Sequence, residues 1–309
     1  MADIKAPRRA ISPAARLREL IAGEGMIQVP GIHDPFSARV AQEVGFEAVT
    51  IGGGVTVSIA YHAIPDMTMI STRDIIDVAR GITRVIDIPL IVDFDDGGGN
   101  PLQVRQAVQL AEAAGIAGMM IEDTNFAYPK HTPPKKLGDV MQFKDNHHLG
   151  REAAVQRVRA AVEARRNPDT VIIARTDSAL ISKEESLIRM RLFAEAGADV
   201  IKPTHFAFED VQEAIDASGI PVMMVPIRLG SSTPEERALA EQHGVKILLD
   251  PVPVSYAMYE AAIKTLTELK ETGTVVKDFS ATAKFVQETI RYREWGDLAI
   301  RYQTPDVTS

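Results

Sequence analysis

Ile88-Pro89-Leu90-Ile91-Val92-Asp93-Phe94-Asp95-Asp96-Gly97-Gly98-Gly99-Asn100 is an apolar run that stops on carboxylates and a triple glycine. The apolar part reads as a buried parallel strand. Asp93 and Asp95 stand two apart at its end, so they point to the same side. The glycines behind them permit a tight, open turn. Carboxylates set this close repel one another unless a cation or hydrogen-bond donors lie between them. Hard oxygen ligands of this kind suit Mg²⁺, with Mn²⁺ as the alternative. Taken alone, the stretch also reads as a solvated acidic turn after a strand.

Two further strand ends shift the balance. Gly118-Met119-Met120-Ile121 stops at Glu122-Asp123, and Val171-Ile172-Ile173-Ala174 stops at Arg175-Thr176-Asp177. One such end would be a helix cap. Three, with opposite charges, read as a site at the C-terminal edge of a parallel sheet.

Outward from these three, strand and helix patterns alternate. Strands are expected at Met26–Ile32, Ala48–Gly52, Leu90–Phe94, Gly118–Glu122, Val171–Arg175, Val200–Pro203, Val222–Val225 and Lys246–Leu249. Amphipathic helices separate most of them, as at Pro101–Ala114, Glu184–Ala196 and Pro234–His243. Ser12-Pro13 caps and opens a helix running to about Ala22. Glycines after helix ends recur at Gly45, Gly115, Gly197 and Gly244. Eight βα units specify an α/β fold, a (β/α)8 barrel of the TIM type. A doubly wound open sheet is the runner-up, and the absence of a dinucleotide glycine motif disfavours it.

The expected organisation is a catalytic barrel over 1–273 and a C-terminal helical extension over 274–309. Within the barrel, Thr124–Gly150 lacks apolar periodicity and carries prolines, lysines and histidines. A long connection leaving the rim beside Glu122 is expected to be a mobile lid. In the extension, Phe285, Ile290, Tyr292, Trp295, Leu298 and Tyr302 recur at partly helical spacing. With the barrel complete before them, they are expected to pack on its outside or on another subunit.

Composition sets the outer limits. The chain has 309 residues, 45% hydrophobic and 25% charged, with a net charge of −8, which is the profile of a soluble globular protein. It carries no basic stripe, so nucleic acid is not expected as a partner. No run approaches membrane-spanning length, and Met1–Lys5 lacks the apolar stretch of a signal peptide, so a cytoplasmic location is expected. There are no cysteines, which excludes thiolate metal sites and a cysteine catalyst within this chain.

In order along the chain stand Pro30-Gly31-Ile32-His33-Asp34-Pro35-Phe36-Ser37-Ala38, Gly52-Gly53-Gly54-Val55, Pro65-Asp66, Asp93-Phe94-Asp95-Asp96-Gly97-Gly98-Gly99-Asn100, Ile121-Glu122-Asp123 and Ala174-Arg175-Thr176-Asp177. Together these resemble the isocitrate lyase / phosphoenolpyruvate mutase superfamily over roughly residues 12 to 270. The nearest pattern is that of its oxaloacetate decarboxylase-like branch. The resemblance implies a Mg²⁺-dependent barrel, a homotetramer with helices exchanged between neighbours (a dimer being the alternative), and chemistry beside a 2-oxo acid through an enolate. Carried over by position, Asp95 approaches the metal, and Asp93 and Glu122 hold its waters. Asp66 stands near the substrate and those waters. Gly52 and Gly53 offer backbone N–H groups to a carboxylate, and Arg175 neutralises developing charge. The lyase branch has an acid/base cysteine in its gating loop, and this chain has none. After the eighth strand, Pro251-Val252-Pro253 stands where the decarboxylase-like branch has asparagine-glycine-histidine.

Single residues complete the candidate list. Thr204 and Arg228 follow the sixth and seventh strands and are expected to read substrate, Arg228 through a distal carboxylate. His205 is the best candidate for a catalytic imidazole facing substrate. His33 and His62 read as packed or capping residues, and His147-His148 lack a third ligand. Lys202 lies within the sixth strand; pointing inward, it must be functional or bonded to an acidic neighbour. The expected function is a Mg²⁺-dependent lyase or decarboxylase acting on a small anionic 2-oxo dicarboxylate such as oxaloacetate. The alternatives are phosphonopyruvate hydrolase or phosphoenolpyruvate mutase-type P–C chemistry, methylisocitrate- or alkylmalate-type C–C cleavage without the cysteine, and an inactive barrel serving as a binding protein.

Overall fold

The computed structural model describes residues 11–66, 69–125, 131–132, 142–143, 147–226 and 231–303. They fall into two compact units, one of Ile11–Ala257 and one from Met258 onward.

The first unit is a closed parallel barrel. Its strands are β1 (Ile27–Pro30), β2 (Val49–Ile51), β3 (Leu90–Asp93), β4 (Gly118–Glu122), β5 (Val171–Thr176), β6 (Val200–Pro203), β7 (Met223–Met224) and β8 (Ile247–Asp250). Strands β2 to β6 form one parallel run, and β1, β8 and β7 form another. Parallel bridges Gly31–Thr50 and Ile201–Val222 join the two runs and close the ring. All eight expected strands are present, with ends displaced by at most two residues and Gly118–Glu122 and Val200–Pro203 unshifted.

Alternation within each strand divides the core. Val29, Ile91, Met120, Ile173, Val200, Met223 and Ile247 point inward and fill the barrel. Helix α1 (Pro13–Ala22), capped by Ser12, closes the bottom with fully buried Leu17. Gly118 makes room for it, since a Cβ there would sit 2.8 Å from Leu17 Cδ2. The outward residues of β2–β4 pack under α2 (Pro35–Glu43), α3 (Thr72–Thr83) and α4 (Pro101–Ala113). Those of β5–β8 pack under α5 (Arg151–Ala164), α6 (Lys183–Glu195), α7 (Val211–Ser218) and α8 (Pro234–Gln242).

Two features differ from the sequence expectation. After β2 the chain enters a π-helix, Gly53–Tyr61, where no element was expected. And the segment expected to be a structureless lid contains a short antiparallel pair, His131–Thr132 with Gln142–Phe143. The rest of that lid, including Lys130, Lys135 and Lys136, lies outside the described residues.

Helix α9 (Pro253–Thr272) runs across the unit boundary. The second unit continues with α10 (Ser280–Thr289) and α11 (Tyr292–Arg301). Tyr292, Trp295, Ile300 and Tyr302 are exposed.

Candidate active site

The site begins with the turn after β3. Phe94 N–H donates to Met120 O at 2.9 Å, and Glu122 N–H donates to Asp95 O at 2.9 Å, so this turn is stitched to β4. Asp95 is held at φ +52, a left-handed conformation that Asp tolerates better than most residues, and its N–H donates to Asp93 Oδ1 at 3.0 Å. Gly97, Gly98 and Gly99 all have positive φ, which only glycine adopts repeatedly without strain. A side chain at Gly97 would also strike Val104 Cγ2 at 2.8 Å. Asn100 then caps α4 by accepting from Leu102 N and Gln103 N.

This path brings oxygens of Asp93, Asp95 and Glu122 within 4.8 Å of one another. A hard divalent cation fits such a set. The glycines after β2 preserve the cradle: a Cβ on Gly53 would lie 2.6 Å from Asp95 Oδ2, and one on Gly54 would strike Asp66 Oδ2. Mg²⁺, or Mn²⁺, is therefore compatible with the residues present.

Arg175 binds the carboxylates together. Its Nη1 lies 3.0 Å from Asp93 Oδ2 and 2.9 Å from Glu122 Oε2. Its Nε and Nη2 fork onto the two oxygens of Asp177 at 3.0 and 2.9 Å. Burial works against its charge, but Asp177, Glu122 and Asp93 outweigh burial and hold its pKa well above the ordinary range. Asp177 is in turn placed by buried Asp123, which accepts from Asp177 N at 3.2 Å and from Thr176 Oγ1 at 2.6 Å.

These groups open into a cavity of about 280 Å³ at the C-terminal mouth of the barrel. Of the expected residues, Gly52, Gly53, Asp66, Asp93, Asp95, Arg175, Thr204 and His205 line it. Glu122 stands behind them, fully buried against Arg175. Gly52 N–H points to Thr56 Oγ1 at a long 3.4 Å. His205 is held at φ +64, and burial lowers its pKa, with Asp177 opposing and Lys202, Arg175 and His148 reinforcing the shift. Arg228 lies outside the described residues. His33 is buried beside Asp34 and is not among the cavity-lining residues, as expected of a packed residue, and His62 is exposed at the C-terminal end of the π-helix.

Two buried arginines were not anticipated. Arg157 donates to Glu122 O (2.8 Å), Thr124 O (2.9 Å) and Gly99 O (2.9 Å), tying the β3 and β4 turns together. Arg189 bonds Asp123 Oδ2 at 3.0 Å and Leu149 O at 2.7 Å, clamping both ends of the lid segment. The available signal is placement: each stands on the buried face of its helix, Arg157 between Ala154 and Ala161, Arg189 between Ser186 and Phe193.

A closed parallel barrel with a hard-ligand carboxylate cluster and an arginine at its C-terminal mouth is the architecture of a metal-assisted enzyme. The Phosphoenolpyruvate phosphomutase family model matches residues 17–272, and the chain belongs to that family. An oxaloacetate decarboxylase of Pseudomonas fluorescens is 34% identical over 266 residues, covering 86% of this chain and 87% of that protein. Among solved structures, 2,3-dimethylmalate lyase superposes with a TM-score of 0.80 at 26% identity, covering 95% of this chain and 99% of that one. Oxaloacetate acetylhydrolase in complex with 3,3-difluorooxalacetate gives 0.79 at 27%, covering 93% and 96%.

Proposed function

We propose that this chain is a Mg²⁺-dependent carbon–carbon lyase acting on a small 2-oxo dicarboxylate of the oxaloacetate type. The observation that carries the reading is the Asp93–Asp95–Glu122 cluster, joined by Arg175 and opening into a cavity of small-molecule size. A bound divalent cation supplies Lewis-acid polarisation of the 2-oxo and carboxylate oxygens. Asp95 would hold it directly, with Asp93 and Glu122 on its waters. Arg175 fixes two of these carboxylates and opposes the negative charge that develops as the C–C bond breaks. Asp66 and Thr204 face the substrate, Gly52 and Gly53 offer backbone donors, and His205 supplies an imidazole kept neutral by burial. Relatives named oxaloacetate decarboxylase and oxaloacetate acetylhydrolase support the substrate class.

The reading extends to assembly and gating. The exposed aromatics of α11 suit a homo-oligomeric interface, with a tetramer as our proposal. The 124–150 segment is proposed as the lid that excludes water. Among the described residues no helix is long and apolar enough to cross a membrane.

A second reading has its own observation. Val225, Pro226, Leu249 and Pro251 make the far wall of the cavity apolar, and an alkyl-substituted malate would fit there. A Mg²⁺-supplemented turnover screen of oxaloacetate, alkylmalates and phosphonopyruvate, repeated with chelator, tests both. Metal-dependent turnover of oxaloacetate is expected. Turnover of none of them would overturn the enzymatic reading.

A further inference from the structure

The charges on the β3–β5 side of the mouth form two layers. The inner layer is Arg175 with Asp93, Glu122 and Asp177. The outer layer is Arg189 with Asp123 and Glu185, and Arg151, half-exposed, closes it on Glu185. The signs alternate from Arg151 inward to Asp123. Arg189 and Asp123 are buried, at 3% and 2% exposure.

Asp123 joins the two layers. Its Oδ1 accepts from the Asp177 N–H at 3.2 Å, and its Oδ2 accepts from the Thr176 hydroxyl at 2.6 Å. Thr176 and Asp177 are the two residues that follow Arg175. One carboxylate therefore grips the stretch of chain from which Asp177 presents both oxygens to Arg175 Nε and Nη2. Arg189 in turn fixes Asp123 at two points. Its Nη1 donates to Asp123 Oδ2 at 3.0 Å, and its Nη2 donates to Leu149 O at 2.7 Å. Leu149 N–H donates back to Asp123 O at 2.9 Å, which closes a ring of three residues. The remaining nitrogen, Nε, donates to Glu185 Oε1 at 2.8 Å. A buried guanidinium bonded through all three nitrogens has little freedom to turn, so the ring is a fixed frame behind Arg175. Direction matters there, because a preorganised cation loses its effect on developing charge when it is slightly misplaced.

We propose that Arg189 is a positioning residue: through Asp123 and Asp177 it holds Arg175 aimed at the negative charge of the bound substrate. This rests on the lyase reading above, and the experiment separates the two by pairing turnover with binding of oxalate, a planar dianion shaped like the enolate of a 2-oxo acid. Oxalate is titrated calorimetrically, with saturating Mg²⁺, into wild type, Arg189→Met, Arg189→Lys and Arg165→Met. Arg165 serves as the control for lost bonds alone. Its Nη1 lies 2.8 Å from Asp199 Oδ2 and 3.2 Å from Thr170 O, two residues that precede β6 and β5 at the opposite end of the barrel. Thermal melting is recorded for each protein, and oxaloacetate kinetics are run well below the lowest melting temperature.

All three variants are expected to melt below wild type. In Arg189→Met the oxalate Kd should rise at least about tenfold and kcat should fall by a similar factor with KM nearly unchanged, the split that marks an interaction made with developing charge. Arg189→Lys should be intermediate, since an ammonium keeps the charge but not the fork. Arg165→Met should change oxalate affinity by less than about twofold, because distant sites act independently. Wild-type oxalate affinity in both Arg189 variants would overturn the assignment, and so would equal weakening in Arg165→Met. If Arg189→Met does not fold, Arg189→Lys decides: oxalate binding weaker by about threefold or more is expected, and wild-type affinity overturns the role. Should wild type bind oxalate yet turn over no substrate, the lyase reading fails, and the oxalate affinities alone uphold or overturn the role of Arg189.

Discussion

The two halves of the barrel mouth are built on opposite principles. On the β3–β5 side, carboxylates and an arginine hold one another through hydrogen bonds of 2.9–3.0 Å, buried and nearly free of slack. On the β7–β8 side, Val225, Pro226, Leu249 and Pro251 present an apolar wall to the cavity, and the buried carboxylate beside them, Asp250, is outside the cavity lining and accepts from Gln28 Nε2 and from the Ser232 N–H and hydroxyl. The charged side is cross-linked by position: moving one group leaves a buried charge unpaired. The apolar wall itself meets the cavity through volume, and tolerates change in steps of a methyl group. We propose that the rigid half carries the chemistry and that the apolar wall shapes the space for the rest of the substrate.

Changes on the charged half should therefore be the most damaging. Asp95→Ala is expected to lower kcat by more than about 1000-fold, roughly 4 kcal/mol of barrier, with a small change in melting temperature. Relief of carboxylate repulsion is opposed by the strain of Ala at φ +52. Steady-state kinetics with Mg²⁺, alongside thermal melting, measures both. Retention of a tenth of kcat would remove Asp95 from the metal's coordination.

Arg175→Lys comes next. A point charge cannot reproduce a guanidinium that forks onto Asp177 while also bridging Asp93 and Glu122. We expect kcat/KM to fall about 100-fold, roughly 2.7 kcal/mol, and the melting temperature to drop as well. This variant should lose more stability than Asp95→Ala, because three carboxylates are left poorly matched in a buried place. A variant with wild-type melting and wild-type kcat/KM would show that the network is not needed.

The contrast between halves also explains what could be read in advance. Strand β3 was legible because an apolar run stopping at Asp93-Phe94-Asp95-Asp96 and three glycines leaves few structural solutions. The barrel followed from eight such runs and the site from carboxylates at strand ends, while Glu122 rather than Asp123 was assigned to the Asp93–Asp95–Glu122 cluster through the family resemblance. The apolar wall was not legible. Val225 and Leu249 look like any strand residue, and only closure of the ring through the Gly31–Thr50 and Ile201–Val222 bridges puts them opposite the acids. Arg157 and Arg189 were missed for a related reason. Helical periodicity places them on buried faces, but the carbonyls they bind come from turns far away in sequence. The π-helix after β2 was hidden by glycines compatible with many backbones.

Arg157 sharpens the comparison from behind. Arg157→Met should leave the backbone oxygens of Gly99, Glu122 and Thr124 short of a donor, destabilising by about 1–3 kcal/mol for each group left unsatisfied in full burial. Its guanidinium bonds the backbone carbonyls of the two turns, so its expected effect on the site is indirect: a 10- to 100-fold weaker metal affinity. Mn²⁺ titration followed by electron paramagnetic resonance measures this without turnover. Unchanged affinity would mean the two turns keep their places without the tie.

On the apolar half, Val225→Ala should alter kcat/KM for oxaloacetate by less than tenfold, under about 1.4 kcal/mol. The ratio of alkylmalate to oxaloacetate turnover should shift more than either rate. A loss as deep as that of Arg175→Lys would break the proposed division of labour.

The smallest expected effect concerns His205, which stands between the halves. Burial favours its neutral form and lowers its folded pKa, while Asp177 acts in the opposite sense and Lys202, Arg175 and His148 add to the lowering. The unfolded chain then takes up the proton more readily than the folded one. Stability linked to this group is complete above the unfolded imidazole pKa of about 6.5 and is lost as pH falls below it toward the folded value. Wild type should therefore lose melting temperature faster than His205→Gln between about pH 7.5 and pH 5.5, measured without metal so that ligand protonation enters both proteins alike. The variant will start lower, because Gln at φ +64 carries strain at least equal to that of His, so the comparison is between slopes rather than values. Parallel slopes would mean that the proton meets no penalty at this position, and that the imidazole faces water rather than the seam of the mouth.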